Sequence, residues 1–382
     1  MAASSESDGT ISGAQLRAAR EEAGLSLSAM AARTHYSKAL LGMLETGQRT
    51  VRSEHVSAYS QALDVSVPIL TEPVGDPVRI AHGWLVADTP SVAHSAAGRM
   101  IGAGLAVQLE ERVIELRRLD DAISGRELFP VVSKELADAQ MVVRECSYTD
   151  EVGRRLLSTV GELAQLAGWV TSDAGHYAEA QRIYLEGHHA AATADNQPLA
   201  GQLLSSLAYQ LANIGRPADA VLLARSAVVG SKNASPAAKA LLLERVAWAS
   251  AKAGDEDTTR RALDAVDDAF ESCSRGGSEP DWVYWLNRNE IEVMAGRCFV
   301  ELGDPTRAEE LLSPAIDRYP SHLVREVALY RTWLAEAHAR TGDLDAARHI
   351  LARLSSDIGS ARLARRVGEV RQLVAASAGK RS

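Results

Sequence analysis

Cysteine is nearly missing from this chain: Cys146, Cys273 and Cys298 are the only three among 382 residues. Their wide spacing and odd number give neither a disulfide frame nor a zinc-ligand pattern, and fit reduced thiols in an expected cytoplasmic setting without metal. Long apolar runs are missing too. No stretch approaches the roughly 18 to 20 residues that a membrane-spanning helix requires, so no membrane partner is expected. Met1 to Thr10 is polar and acidic, without the cationic and apolar regions of a secretory signal. Lysine is confined to positions 38, 134, 232, 239, 252 and 380 while arginine and alanine abound, the compositional mark of a GC-rich genome. Positive charge is not in excess: at a net −9 the chain cannot coat nucleic acid along a broad basic face, so any such contact is local.

What is present is ordinary globular material, 46% hydrophobic and 24% charged, long enough for two or three units with separate cores. After a tail over 1–10, short amphipathic segments separated by turn signals such as Ala23-Gly24-Leu25-Ser26 and Thr46-Gly47 predict a compact helical domain over 11–70. Pro68, Pro73, Pro77 and Pro90 break every helical pattern that follows, which predicts a linker over 71–98. Ile101, Leu105, Leu109, Val113, Leu116, Leu119 and Ile123 then recur at steps of three and four, one apolar stripe on a long helix ending near Gly125. A second helix from about Pro130 to Cys146 folds back on it, making a hairpin over 99–150.

From 151 to 377 the sequence repeats itself around glycines, before a tail over 378–382. Gly175, Gly215, Gly254, Gly303 and Gly342 are spaced by 40, 39, 49 and 39 residues. Seven before each stands a small residue, Gly168, Ala208, Ala247, Gly296 and Ala335, and five after each an Ala or Thr. Small residues let two antiparallel helices approach, and glycine supplies the permissive backbone of a tight turn between them. Over roughly 155 to 377 the pattern resembles the tetratricopeptide repeat family, with periods above that family's usual 34 or so and Thr259 where alanine is common. The fold expected is all-α: an N-terminal five-helix domain and a C-terminal TPR-like α-solenoid.

Within the first domain, Ser26 is placed to cap a helix with Met30 and Ala31 facing inward. Ser37 is placed to cap the next, which carries Leu40, Leu41 and Leu44 before Gly47 stops it. Two short helices with a tight connection make a helix-turn-helix. Together with the Leu44-Glu45-Thr46-Gly47 ending and the amphipathic stretch Ser53 to Leu63, the segment resembles the phage-repressor-type (Cro-like, XRE) DNA-binding family. The resemblance implies that the third helix enters the major groove of an operator. It puts Ser37, Lys38, Ala39, Gly42 and Met43 toward the bases, with Lys38 the foremost reader, and Arg17, Arg49 and Arg52 toward phosphates. Gly42 stands where that family often has a polar side chain, and Thr50-Val51 replaces its usual basic-Pro run. Arg20 and Glu45 match a pair that in the family joins the first helix to the end of the third. Over 11–65 six Lys or Arg face five acids, a net of +1, so affinity calls for a dimer on half-sites about 34 Å apart.

Catalytic patterns are lacking, and an enzyme is not expected. His188 and His189 are adjacent and so point about 100° apart on a helix, which is unsuitable for chelation and read as solvated surface. Gly102-Ala-Gly104 lacks the strand and third glycine of a dinucleotide site, and no cofactor is expected. The repeats instead offer a binding surface. The residue after each small first-helix position is Trp169, Tyr209, Trp248, Arg297 and Glu336, and four earlier stand Gln165, Ser205, Glu244, Val293 and Thr332. This row either lines a groove for a peptide or small-molecule effector, with Gln165, Trp169, Ser205, Tyr209, Glu244, Trp248 and Arg297 as its contacts, or packs between hairpins. Trp282, Tyr284 and Trp285, after the insertion Ser274 to Pro280, either close one end of that groove or anchor the insertion.

The two-part architecture resembles the peptide-responsive (RRNPP-type) quorum-sensing regulators of Gram-positive bacteria and related regulators of actinobacteria. In the former, the repeats bind a signalling peptide and mediate dimerisation. The resemblance implies a homodimeric, effector-responsive transcription factor. The alternative is an interaction scaffold whose first domain merely docks.

Overall fold

The computed structural model describes residues 13–63, 76–86, 98–121, 123, 125–275, 278–320, 324–354 and 361–379. Among them are eighteen α-helices and one two-residue parallel strand pair, Arg99–Met100 with Cys146–Ser147. The N-terminal unit is built from α1 (Gly13–Glu22), α2 (Leu27–Thr34), α3 (Lys38–Glu45) and α4 (Ser53–Leu63). The fifth helix expected for this domain falls outside the described residues. Local chemistry sets the boundaries: the Ser26 and Ser37 hydroxyls each accept an amide one turn on, from Ala29 and Leu40 at 3.1 Å. Gly24 and Gly47 leave α1 and α3 through left-handed conformations, φ 66° and 74°. Leu16, Met30, Leu41, Val56 and Tyr59 form the core, and Ala178, far along the chain, completes it.

Part of the stretch expected to be a linker is helical. In α5 (Pro77–Val86), Pro77 opens the helix instead of breaking it, because the first turn has no intrahelical use for the missing N–H. Pro68, Pro73 and Pro90 lie outside the described residues. The α5 helix docks on the repeats through Trp84, whose Nε1 donates to Gln197 Oε1 at 2.9 Å and whose ring meets His188 edge-on at 5.0 Å. Gly230 makes the fit possible, since a Cβ there would stand 2.1 Å from the Trp84 ring. His188 is therefore buried, not solvated as expected: Trp84 covers it and its Nδ1 bonds to the Ala200 carbonyl at 3.0 Å. Desolvation pushes its pKa below the usual imidazole value.

The hairpin that follows pairs α6 (Ala103–Asp120) with α7 (Gly125–Glu145). The latter begins five residues before the expected Pro130 and carries that proline inside its second turn. Beyond it, five helical hairpins stack: α8 (Asp150–Asp173) with α9 (Tyr177–Thr193), α10 (Gln197–Asn213) with α11 (Pro217–Gly230), α12 (Pro236–Lys252) with α13 (Glu256–Glu271), α14 (Arg288–Glu301) with α15 (Pro305–Asp317), and α16 (Val324–Thr341) with α17 (Leu344–Ala352). Each turns on its repeat glycine, and all five have positive φ, between 76° and 95°. The small positions seven residues earlier are where the two helices touch. A Cβ at Gly168 would stand 2.5 Å from the Tyr184 ring, and Tyr184 is fully buried.

Successive first helices, α8, α10, α12, α14 and α16, also contact one another and form an inner layer. That is why α10 is buried without interruption from Leu199 to Ala212: apart from Gln202 and Gln210, which are hydrogen-bonded, and Tyr209, its residues there are apolar or small all round, and it has neighbours on several sides. The last helix, α18 (Ala361–Gly379), packs on α16 and α17 and buries Leu363, Val370 and Val374. It extends two residues past the expected end of the repeat domain. The insertion after α13 is anchored on the α6–α7 hairpin. Trp282 is buried, Tyr284 stacks beneath Arg118 at 3.4 Å, and Asp281 accepts from Arg117 at 2.8 Å.

Candidate functional sites

The outward face of α3 is set by what its other face must do. Leu41, Leu44 and Glu45 point into the domain, so Lys38, Ala39 and Met43 point out, with Ser37 at the capping position beside them. All four are exposed, Met43 as a large apolar group at 37%. Gly42 lies among them, half-buried, and a side chain added there would meet nothing within 4 Å. The surface thus has one cation, one hydroxyl and two apolar contacts, with a gap at its middle.

The flanking cations differ in readiness. Arg17 is engaged with Glu21 at 2.8 Å, and Arg52 lies 3.9 Å from Glu54. Both are exposed pairs worth at most about 1 kcal/mol, which a phosphate could replace. Arg49 and Lys38 are exposed and make no ion pair among the described residues. Arg33 instead donates to the Ala62 carbonyl at 3.3 Å, holding α2 to α4.

Behind α3 lies the expected pair, with a third member that the sequence did not reveal. Arg20 grips Glu45 bidentately, Nε to Oε1 at 2.7 Å and Nη2 to Oε2 at 2.6 Å, and its Nη1 donates to the Leu25 carbonyl at 2.7 Å. Tyr59, from α4, donates its hydroxyl to Glu45 Oε1 at 2.8 Å. Burial and the Glu45 carboxylate together push the Tyr59 phenol above its usual range, so it stays a donor. Three helices thereby meet at one carboxylate, which fixes the angle at which α3 is presented.

The second candidate region is the row on the inner helices of the repeats. The structure brings it together but does not leave it an open groove. Trp169, Tyr209, Trp248 and Trp333 form one column, with neighbouring ring centroids 5.9, 6.2 and 5.4 Å apart. Ser205, Tyr209, Glu244, Trp248 and Arg297 are buried, while Gln165 and Trp169 are half-buried toward one end. Of the two readings of this row, packing between hairpins holds for Tyr209 and Trp248, and α18 lies on the column's two ends. Arg362 pairs with Asp173 at 3.0 Å and covers Trp169, and Arg366 stacks on Trp333 at 3.5 Å while pairing with Glu336. Arg297 donates to the Tyr209 hydroxyl at 2.9 Å, and Arg245 lies over the Tyr209 ring while pairing with Glu244 at 2.7 Å.

Such a gathering of cations overturns the ordinary effect of burial. Desolvation alone would push the Tyr209 phenol up, but Arg297, Arg362 and Arg245 outweigh it and bring the phenol down to about 8. Beside the column lies a small cleft of about 20 Å³, lined by Trp169, Asp173, Tyr177, Tyr209, Arg362 and Arg365 among others.

Among the described residues no helix is long and apolar enough to cross a membrane, and no three His, Cys, Asp or Glu are grouped as metal ligands. No curated protein matches the chain. Residues 13–71 match the family model described as a helix-turn-helix domain, so the unit built on α1 to α4 is a helix-turn-helix domain, the kind of module that presents a helix to the DNA major groove.

Proposed function

We propose that the chain is a cytoplasmic, sequence-specific DNA-binding transcriptional regulator that acts as a homodimer, its repeats binding a peptide or small-molecule effector. The observation that carries the DNA part is the outward surface of α3, with Ser37, Lys38, Ala39 and Met43 held at a fixed angle by the three-way Arg20–Glu45–Tyr59 contact. In this reading Lys38 donates to guanine O6 or N7, Ala39 and Met43 contact thymine methyls, and Arg17, Arg49 and Arg52 hold phosphates. With a net charge of only +1 over 11–65, one head binds weakly and two heads on adjacent half-sites bind tightly.

The effector part is supported by the physical connection between the two regions. Ala178 at the start of α9 closes the helix-turn-helix core, and Trp84 seats α5 on the array. A ligand that favours one arrangement of the hairpins would therefore shift how the head is held, and DNA would change ligand affinity by the same factor. Chromatin immunoprecipitation with sequencing tests the first part. Discrete sites sharing a two-fold motif are expected, and uniform or absent recovery would support a scaffold instead. Sedimentation of the full chain with and without a recovered site tests the dimer.

A further inference from the structure

Helix α4 begins where the loop carrying Arg49 and Arg52 ends, and an imidazole closes its first turn. Arg52 is the opening residue: its carbonyl accepts the first helical amides, from His55 at 2.9 Å and Val56 at 3.2 Å. In a capping box, a Glu or Gln three residues after the opening residue reaches back to that residue's amide. Here the position is His55, whose Nδ1 accepts the Arg52 N–H at 2.9 Å. The imidazole is buried, and the Tyr36 ring meets it edge-on at 5.6 Å. Tyr36 directly precedes Ser37, the cap of α3. One buried ring therefore lies against the turn that starts the base-facing helix and holds the backbone of a cation read as a phosphate contact. The Arg52 side chain itself stays 71% exposed.

We propose that His55 is a positioning residue for Arg52 in DNA binding, and that it holds the loop only while its Nδ1 carries no proton. Nδ1 can accept the Arg52 N–H or bear a hydrogen of its own, not both. Imidazole is also the side chain that ordinarily takes up a proton between about pH 5 and 8. Protonation sets one donor against another, so the Arg52 amide loses its partner, the first turn of α4 loosens, and Arg52 is no longer held at one distance from the α3 surface. Glu54 Oε1 lies 3.7 Å from His55 Nε2 and 3.9 Å from Arg52 Nη1, while α2 and its turn contribute the Tyr36 ring and, exposed, Arg33 and His35. Glu54 favours the imidazolium and offsets its new charge, so the charge gained adds little attraction for phosphate and the lost cap decides the sign. The proposal rests on reading the first domain as DNA-binding and adds the group that fixes one of its phosphate contacts.

The test uses the full chain and a fluorescein-labelled duplex of about 30 base pairs and random sequence at low salt, since phosphate contacts do not depend on sequence. Affinity is read by anisotropy at about pH 7.5 and about pH 5.5, on either side of the imidazole range. Acidification is expected to weaken the wild type about fivefold more than His55→Gln, the size of a lost helix cap. His55→Ala is expected to lose a similar factor already at the higher pH and His55→Gln to restore it, because an amide oxygen caps without titrating. Arg52→Ala should remove most of the acid-sensitive part, because His55 acts through that residue. An acid response identical in wild type and His55→Gln, or undiminished in Arg52→Ala, would overturn the assignment. If the His55 variants do not fold, nitrogen NMR of the wild-type ring and exchange of the Arg52 amide decide. Protonation of Nδ1, loss of amide protection and loss of affinity are then expected to follow one curve, and separate curves overturn the proposal. A chain that never binds the duplex, yet frees the Arg52 amide as the ring is protonated, would keep the cap and lose the DNA reading. One that binds the duplex with the Arg52 amide unprotected at the higher pH would do the reverse.

Discussion

Two buried arginines separate the halves of this molecule. Arg20 in the helix-turn-helix domain has all three guanidinium nitrogens bonded, to Glu45, the Leu25 carbonyl and Glu21. Arg297 in the repeats is as deeply buried, yet makes no ion pair: it lies by two indoles, donates to one phenol, and has the carboxylates of Glu244 and Glu290 acting on it only from beyond ion-pair distance. A satisfied buried ion is a joint, whose removal breaks the structure. One compensated by ring faces, a hydroxyl and carboxylates at longer range has its support spread over several helices, so no single neighbour is its joint.

The largest effect expected from breaking this contrast is at the joint. Glu45→Ala leaves Arg20 and Tyr59 without their shared acceptor and should cost about 3 to 5 kcal/mol, enough to melt a small domain. Hydrogen exchange over 13–63 in the full chain, followed through thermal melting, would read it. An unchanged melting profile would remove the distinction drawn between the two arginines.

Next comes the face that the joint supports. Lys38→Ala should cost about 1 to 3 kcal/mol of operator affinity and relax preference at one base position, and Arg49→Ala should weaken all sequences alike and reduce the salt slope by about one. Fluorescence anisotropy over a salt series distinguishes them, and identical behaviour of the two variants would contradict this docking. Of similar size, Gly230→Ala drives a methyl into the Trp84 ring and should destabilise by about 1 to 3 kcal/mol, with faster hydrogen exchange confined to 77–86 and its contacts. Exchange unchanged over α5 would mean that the helix is not held by Trp84.

The smallest effect is that of pH on His188. Its folded pKa lies below the ordinary 6.5, so below that pH the unfolded chain binds a proton that the folded one refuses. Its contribution is complete above about 6.5 and is lost as pH falls from there toward the folded value. His188→Gln should flatten that part of the stability profile in acid denaturation, and a profile of unchanged slope would assign the acid sensitivity elsewhere.

Legibility followed distance along the chain. The caps Ser26 and Ser37, the Leu44-Glu45-Thr46-Gly47 ending and the five turn glycines were readable because each acts on backbone within a few residues of itself, through one hydroxyl or one left-handed φ. The Arg20–Glu45 pair was readable only through family resemblance, and Tyr59 carried no mark beyond its place on an apolar stripe. Pro77 misled because proline stops a helix in its interior but starts one at its first position, and a one-dimensional pattern does not say which.

The sequence by itself determined an all-α chain with a helix-turn-helix at one end and a register of hairpins behind it, because helix periodicity, capping and glycine turns are local physics. Only the tertiary structure decided which face of the repeats is open. The Trp169, Tyr209 and Trp248 row has the same sequence whether it lines a groove or a core. Tyr209 and Trp248 are core because Arg297 and Trp333 arrive from later hairpins to close on them, while Trp169 is only half-covered by Arg362 of α18, from nearly 200 residues away. His188 became buried for the same reason, through Trp84 from about a hundred residues before it. Burial belongs to whichever segment arrives to cover a side chain, and no window of sequence around that side chain contains it.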